Sequence, residues 1–239
     1  CLTKLDRLIL ELKVPPEFAY LKMLYIIEDF NKCLRQNQYP NRISPDQSNV
    51  IFTSADFFLC FTLESIGHIY GAKHPEKKLL IDDRPTTKSQ NRYNEIQRPS
   101  WNDISSRLWG DYRISPDGQQ IISSSSNELS HPFVKFVLEP IYKVFTHVLS
   151  YEPEIWSKML KVQLSPTEKK LNTAPLLRIA LSRIFGSFSS FVQVIHKNLP
   201  PPIDRTNDRE DQPIAKVVAL ASKFVPSYNG EKVYALARI

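Results

Sequence analysis

The sequence predicts an α/β chain. Three observations carry the prediction: a strand end, helix and strand in succession at the N-terminus, long helical stripes of apolar residues between 133 and 195, and two strand-like runs at the C-terminus. At 239 residues, 42% hydrophobic and 23% charged, the composition is that of an ordinary globular chain able to bury a sizeable core.

The opening Cys1-Leu2-Thr3-Lys4-Leu5-Asp6 reads as the end of a strand, with Leu2 its apolar residue. Pro15-Pro16 then start a helix in the first turn, where the missing N–H costs least, and Glu17 suits the positive end of the helix dipole. Met23, Ile27, Phe30 and Leu34 fall on one face and predict a helix over about 16–36. After a polar stretch, Val50-Ile51-Phe52 run into Thr53-Ser54-Ala55 as a buried strand end. Together these form a βαβ unit, whose parallel sheet would gather a ligand at the strands' carboxyl ends. Thr3–Asp6 and Thr53–Ala55 both lie there.

The aromatic-rich stretch 57–70 predicts the start of another packed helix. From about 71 to 130 the chain turns polar, with Pro75, Pro85, Pro99 and a Ser123–Ser126 tract, and reads as loop or insertion. Within it, residues 107–121 alternate around Pro116-Asp117-Gly118, a hairpin turn signal. Phe133, Phe136, Val137, Ile141, Val144, Phe145 and Val148 keep one helical face, with Pro140 as a kink or break. Leu177, Leu181, Ile184, Phe188, Phe191 and Ile195 repeat the pattern, with Gly186 a joint between two helices. Pro200-Pro201-Pro202 end it and open a charged linker, Asp204–Asp211. Residues 214–225 and 231–239, joined by Pro226–Gly230, then read as a hairpin with nothing left to pair its edges. On that ground the chain is expected to be cut at both ends.

Several chemistries are set aside. The 6 glycines, against the roughly 17 of average usage, form neither G-x-x-x-x-G-K-S/T nor G-x-G-x-x-G, so no glycine-rich phosphate cradle is expected in this chain. No apolar run reaches the roughly 18 residues of a membrane span, and no leader is read ahead of Cys1. Cys1, Cys33 and Cys60 have no C-x-x-C spacing and fit reduced thiols, with Cys60 in the core. His68, His74, His131, His147 and His196 lack metal-ligand spacing, so no metal ligands are expected. Asp82-Asp83, Asp208–Asp211 and the mixed-charge runs 73–78 and 205–210 read as solvated surface. A net charge of +6 and a pI near 9.1 favour anionic surroundings such as RNA, without a local RNA-binding groove.

The sharpest motif is Thr3-Lys4-Leu5-Asp6, a form of the N/T-K-x-D guanine-recognition sequence. A carboxylate held at a strand end accepts hydrogen bonds from the N1–H and exocyclic amino group of guanine. Adenine offers no donors there, and polar sites of this kind discriminate by about 10⁴ or more. The Lys4 stem can lie along the base plane with its ammonium in water. The backbone N–H of Ser54 or Ala55, at the neighbouring strand end, would meet the guanine O6.

Around that motif, residues 3–20, 54–70, 107–113, 133–149, 171–202 and 233–239 resemble the elongation-factor-2-like translational GTPases. FVKFVLEPIYK and LLRIALSRIFGSF, far from any catalytic motif, are most similar to the spliceosomal U5 small nuclear ribonucleoprotein branch of that group. The resemblance implies that residues 1–70 are the C-terminal part of a P-loop GTP-binding domain, and 71–202 a mainly helical family insertion with a hairpin. Residues 203–239 would be a linker and the first hairpin of a β-barrel domain. It gives Thr3, Lys4 and Asp6 the guanine-specificity role and Ser54 with Ala55 the second base contact; Thr3 stands where the family usually has asparagine. It implies GTP or GDP as ligand, with Mg²⁺ in the intact protein bound by residues outside this chain, as are the phosphate loop and switch regions. No catalytic residue is therefore assigned, and hydrolysis by this chain alone is not expected. The implied role is a GTP-binding, GTP-hydrolysing switch in pre-mRNA splicing, in the nucleus, with a scaffold protein, an RNA helicase and U5 snRNA as partners and no membrane. Alternatives are a cytoplasmic elongation-factor-2-like GTPase of translation or ribosome maturation, and a non-catalytic GTP-bound scaffold.

Overall fold

In the computed structural model of the chain, the described residues are 1–73, 80–82, 101–118, 120–124, 129–186, 188–199, 220–226 and 233–238. Leu2 pairs in parallel with Phe52: its N–H donates to Ile51 O at 2.7 Å and its carbonyl accepts from Thr53 N at 2.8 Å. The chain then turns at Lys4 (φ 63°) into α1 (Leu5–Leu10) and returns through α2 (Pro16–Gln36) to β1 (Phe52–Ser54). The expected strand end, helix and strand are present in that order.

The buried face of α2 differs from the expected one. Ala19, Tyr20, Met23, Ile27 and Asn31 face inward, whereas Phe30 is 52% exposed and Leu34 half-buried. The stripe rotates toward Asn31 because that amide satisfies a loop backbone, donating to Ile43 O (2.8 Å) and accepting from Ile43 N (2.9 Å).

A second correction concerns residues 57–62. The expected helix does not start there; Leu59–Phe61 form β2, antiparallel to β1 with Phe52 opposite Phe61 and Ser54 opposite Leu59. Both faces of this short strand are buried, so it shows no alternation to set it apart from a helical run. The helix α3 (Leu63–Lys73) begins only after a reciprocal cap, Thr62 N to Ser65 Oγ at 2.9 Å and Ser65 N to Thr62 Oγ1 at 3.2 Å.

Among its described residues, the polar stretch carries three short strands and a short helix. β3 (Leu80–Asp82) pairs in parallel with β5 (Gln120–Ser123), which pairs antiparallel with β4 (Tyr112–Ile114); α4 (Trp101–Ser105) lies between β3 and β4 in sequence. The expected hairpin turn is present, with Gly118 at φ 72° and its N–H on Ser115 O (2.8 Å). Asp82 sits in β3 rather than in a loop, while Asp83, Pro75, Pro85, Pro99 and residues 125–128 lie outside the described residues.

Pro140 does mark a break. A π-helical segment, Val134–Leu138, precedes α5 (Glu139–Ser150), and Pro140 occupies the first turn of α5. α6 (Pro153–Met159) and α7 (Thr173–Phe185) follow. Gly186 (φ 88°) ends α7 and leads into α8 (Ser189–Asn198), the expected joint. The expected apolar stripe stops being buried there: Phe188 and Ile195 are exposed, and α8 buries Ser190 instead.

One core joins these pieces, with Leu5, Phe52, Phe61, Trp109, Phe133, Phe145 and Leu181 among its members. The rings of Phe52 and Phe61 stack at 5.2 Å, and Trp109 meets Phe133 edge-on at 5.0 Å. Cys60 is fully buried, and burial pushes its thiol up; Cys1 and Cys33 are exposed thiols. Residues 1–198 form one compact unit and 199–239 a second. In the second, β6 (Leu220–Pro226) and β7 (Val233–Arg238) make the expected antiparallel hairpin, with a register irregularity between Ala221 and Lys223. The linker, residues 214–219 and the turn 227–230 lie outside the described residues. Among those described, no helix is long and apolar enough to cross a membrane.

Candidate guanine-reading site

The parallel pairing of Leu2 with Phe52 sets two chain segments side by side so that both finish at the same edge. One continues into Thr3, Lys4, Leu5 and Asp6, the other into Thr53, Ser54 and Ala55. Lys4 adopts the left-handed conformation without glycine's freedom, which costs about 1–2 kcal/mol. The turn delivers Leu5 into the core and Asp6 into the first turn of α1, both buried, while Thr3 and Lys4 stay exposed.

Asp6 retains only 8% of its surface and Ser54 none. The Ser54 hydroxyl donates to Asp6 Oδ1 at 2.5 Å, tying the two strand ends together by their side chains. Thr53 Oγ1 adds a long contact to Leu2 O at 3.5 Å. Ala55 is exposed and opens a four-residue turn, closed by Phe58 N–H on Ala55 O at 3.3 Å. Of the five residues singled out in sequence, Asp6 and Ser54 therefore touch, and Thr3, Lys4 and Ala55 lie beside them in the chain at the same edge.

Sequence reasoning missed the far side of that turn. Phe58 holds φ 52°, a conformation usually announced by glycine or asparagine, and an aromatic there carries no such signal. Arg178, on α7, donates from Nε to Asp56 O at 2.7 Å, and its guanidinium carbon lies 5.3 Å from the centre of the Phe58 ring. Phe57 points the other way, its ring edge-on to Phe145 of α5 at 5.4 Å. No sequence signal links Arg178 to residue 56; only the packing of α7 against β2 brings them together.

A separate polar cluster lies elsewhere in the unit. Arg113 is buried, and its Nη1 contacts the Tyr112 carbonyl at 2.9 Å and His131 Nδ1 at 3.0 Å. The Tyr20 ring lies 4.1 Å from that of His131. Burial, and then the charge of Arg113, push the imidazole down to about 4, so it stays neutral near pH 7. Burial likewise pushes the Tyr20 phenol up to about 12. Among the described residues no group of three His, Cys, Asp or Glu side chains could hold a metal ion.

Chemically, a buried carboxylate with one oxygen engaged by a neutral hydroxyl has capacity for further donors. A planar group carrying two adjacent N–H donors matches that carboxylate, which is the donor pattern of guanine and not of adenine.

No protein-family model matches the chain. It is similar, at 34% identity over 239 residues, to the 109 kDa U5 small nuclear ribonucleoprotein component GFL of Arabidopsis thaliana, covering 97% of this chain and 21% of that protein. The pre-mRNA-splicing factor cwf10 of Schizosaccharomyces pombe is 30% identical over 217 residues, 88% of this chain and 20% of its own length. The pre-mRNA-splicing factor SNU114 of Saccharomyces cerevisiae is 29% identical over 205 residues, 84% of this chain and 18% of its own. The chain thus spans about one fifth of the length of the curated relatives it matches. Along nearly its whole length, the chain is thus related in sequence to a stretch of U5 small nuclear ribonucleoprotein components and pre-mRNA-splicing factors.

Proposed function

We propose that this chain supplies the base-reading part of a guanine-nucleotide site in a splicing GTPase of the U5 small nuclear ribonucleoprotein. The observation that carries the reading is the buried Asp6–Ser54 hydrogen bond, which joins a T-K-x-D segment to a second strand end. The donor set fits the base: Asp6 takes the N1–H and amino group, the Ser54 hydroxyl holds the carboxylate, and the Ser54 or Ala55 backbone meets O6. Bound GTP supplies the γ-phosphate whose presence or loss would distinguish two states of the whole protein. Every contribution from this chain is to bind and select the base.

Residues 1–70 then serve as the C-terminal part of a P-loop GTPase domain, 71–202 as a family insertion, and 203–239 as linker and first hairpin of a barrel domain. The names of the relatives support a nuclear, spliceosomal setting, in which a scaffold protein, an RNA helicase and U5 snRNA are the proposed partners. The full-length protein should prefer GTP over ATP by about 10⁴ in competitive binding, and in nuclear extract it should co-purify with U5 snRNA. Comparable affinities for the two nucleotides would overturn the guanine reading. Recovery with ribosomal particles instead of U5 snRNA would overturn the setting.

A further inference from the structure

We infer that Arg178 of α7 is a positioning residue for the base-reading turn, fixing residues 55–58 so that the Ser54–Ala55 backbone presents its N–H to the purine O6. The inference rests on the guanine reading above and adds a part that the recognition motif does not contain.

The turn is short and strained. Ser54 opposite Leu59 is the last pair of the hairpin, and Ala55–Phe58 must reverse the chain in four residues. Phe58 does so in the left-handed region, where a bulky side chain is strained. Burial does not offset this, because the ring is 51% exposed. What holds the turn is contact with two helices. Phe57 is seated against Phe145, and Arg178 grips the next two groups at once, the Asp56 carbonyl by a hydrogen bond and the Phe58 ring by a cation–π contact.

The guanidinium comes from a rigid base, since Leu176, Leu177, Ala180 and Leu181 bury the other face of α7. Arg178 itself is exposed. Each of its contacts is then weak, enough to bias the turn severalfold and too little to decide whether the unit folds. Strain held at a ligand-facing turn by an outside contact is the pattern of a preorganised site. Asp6 belongs to another element, so recognition of O6 and recognition of the N1–H and amino edge are separable.

The test uses the full-length protein and two nucleotides, GTP and inosine triphosphate, which share O6 and differ in the 2-amino group. Arg178→Met should weaken both by the same factor, about 3–10-fold, leaving their ratio and the melting temperature unchanged. Arg178→Lys, which keeps a cation and a donor, should recover part of the loss. Asp6→Asn, by contrast, should change the ratio. Wild-type affinities in Arg178→Met overturn the inference, as does a loss that follows a lowered melting temperature or alters the ratio. If Asp6→Asn leaves both affinities unchanged, the guanine reading itself fails and this inference with it.

Discussion

Taking a carboxylate out of water costs several kcal/mol, and one hydrogen bond from a neutral hydroxyl returns about 1.5–3. Asp6, almost wholly buried with Ser54 as its partner, is therefore a poor device for stabilising the fold and a good one for gaining from donors that a ligand brings. His131 shows the opposite use of burial. Its Nδ1 faces the Arg113 guanidinium, so the neutral ring accepts a hydrogen bond that the imidazolium would lose. With a folded value near 4 against an ordinary 6.5, the unfolded chain binds more protons across that window. Stability is then fully present above pH 6.5 and falls as the pH drops toward 4. Urea unfolding from pH 4 to 7 should show this slope, shallower in His131→Asn; identical slopes in the two proteins would contradict it.

At the scale of elements, the break before α5 follows from one missing donor. Pro140 has no N–H for the carbonyl of Phe136, and the Tyr70 hydroxyl donates to that carbonyl at 2.8 Å. Tyr142 makes a similar tie, donating to Val14 O at 2.6 Å beside the two prolines that open α2. Tyr70→Phe should destabilise by about 1 kcal/mol, and by less in a Pro140→Ala background, where a backbone N–H can take the hydroxyl's place. A double-mutant cycle by urea unfolding measures the coupling; additive effects would contradict it. Legibility in the sequence follows the same physics. Helix α2, the joint at Gly186 and the hairpin turn with Gly118 were readable, because proline, glycine and apolar spacing act locally. Strand β2 was not, since a strand buried on both faces has no period to read, and β3 was not, since its partner lies forty residues on in β5. Asn31 inside the α2 face and Phe58 at positive φ break local rules for tertiary reasons.

Across the first unit, the core runs without interruption from Leu5 to Phe185, so the strand ends that carry Asp6 and Ser54 rest on the helices that follow them. This is why a contact such as Arg178 to Asp56 can exist at all, across 122 residues of sequence. The α/β class and the kinship with U5 splicing proteins were legible in the sequence, the first from element order and the second from stretches remote from the motif. What lay beyond reach was how the helical part buttresses the edge that carries Asp6 and Ser54, because no residue in α7 advertises its partner. Asp6 carries the proposed guanine reading. Affinities of the full-length Asp6→Asn protein for GTP and xanthosine triphosphate test it most directly, because xanthine offers an acceptor where guanine offers an amino donor. GTP binding should fall by about a hundredfold or more, and xanthosine triphosphate should become the preferred nucleotide. An unchanged preference for GTP would contradict it.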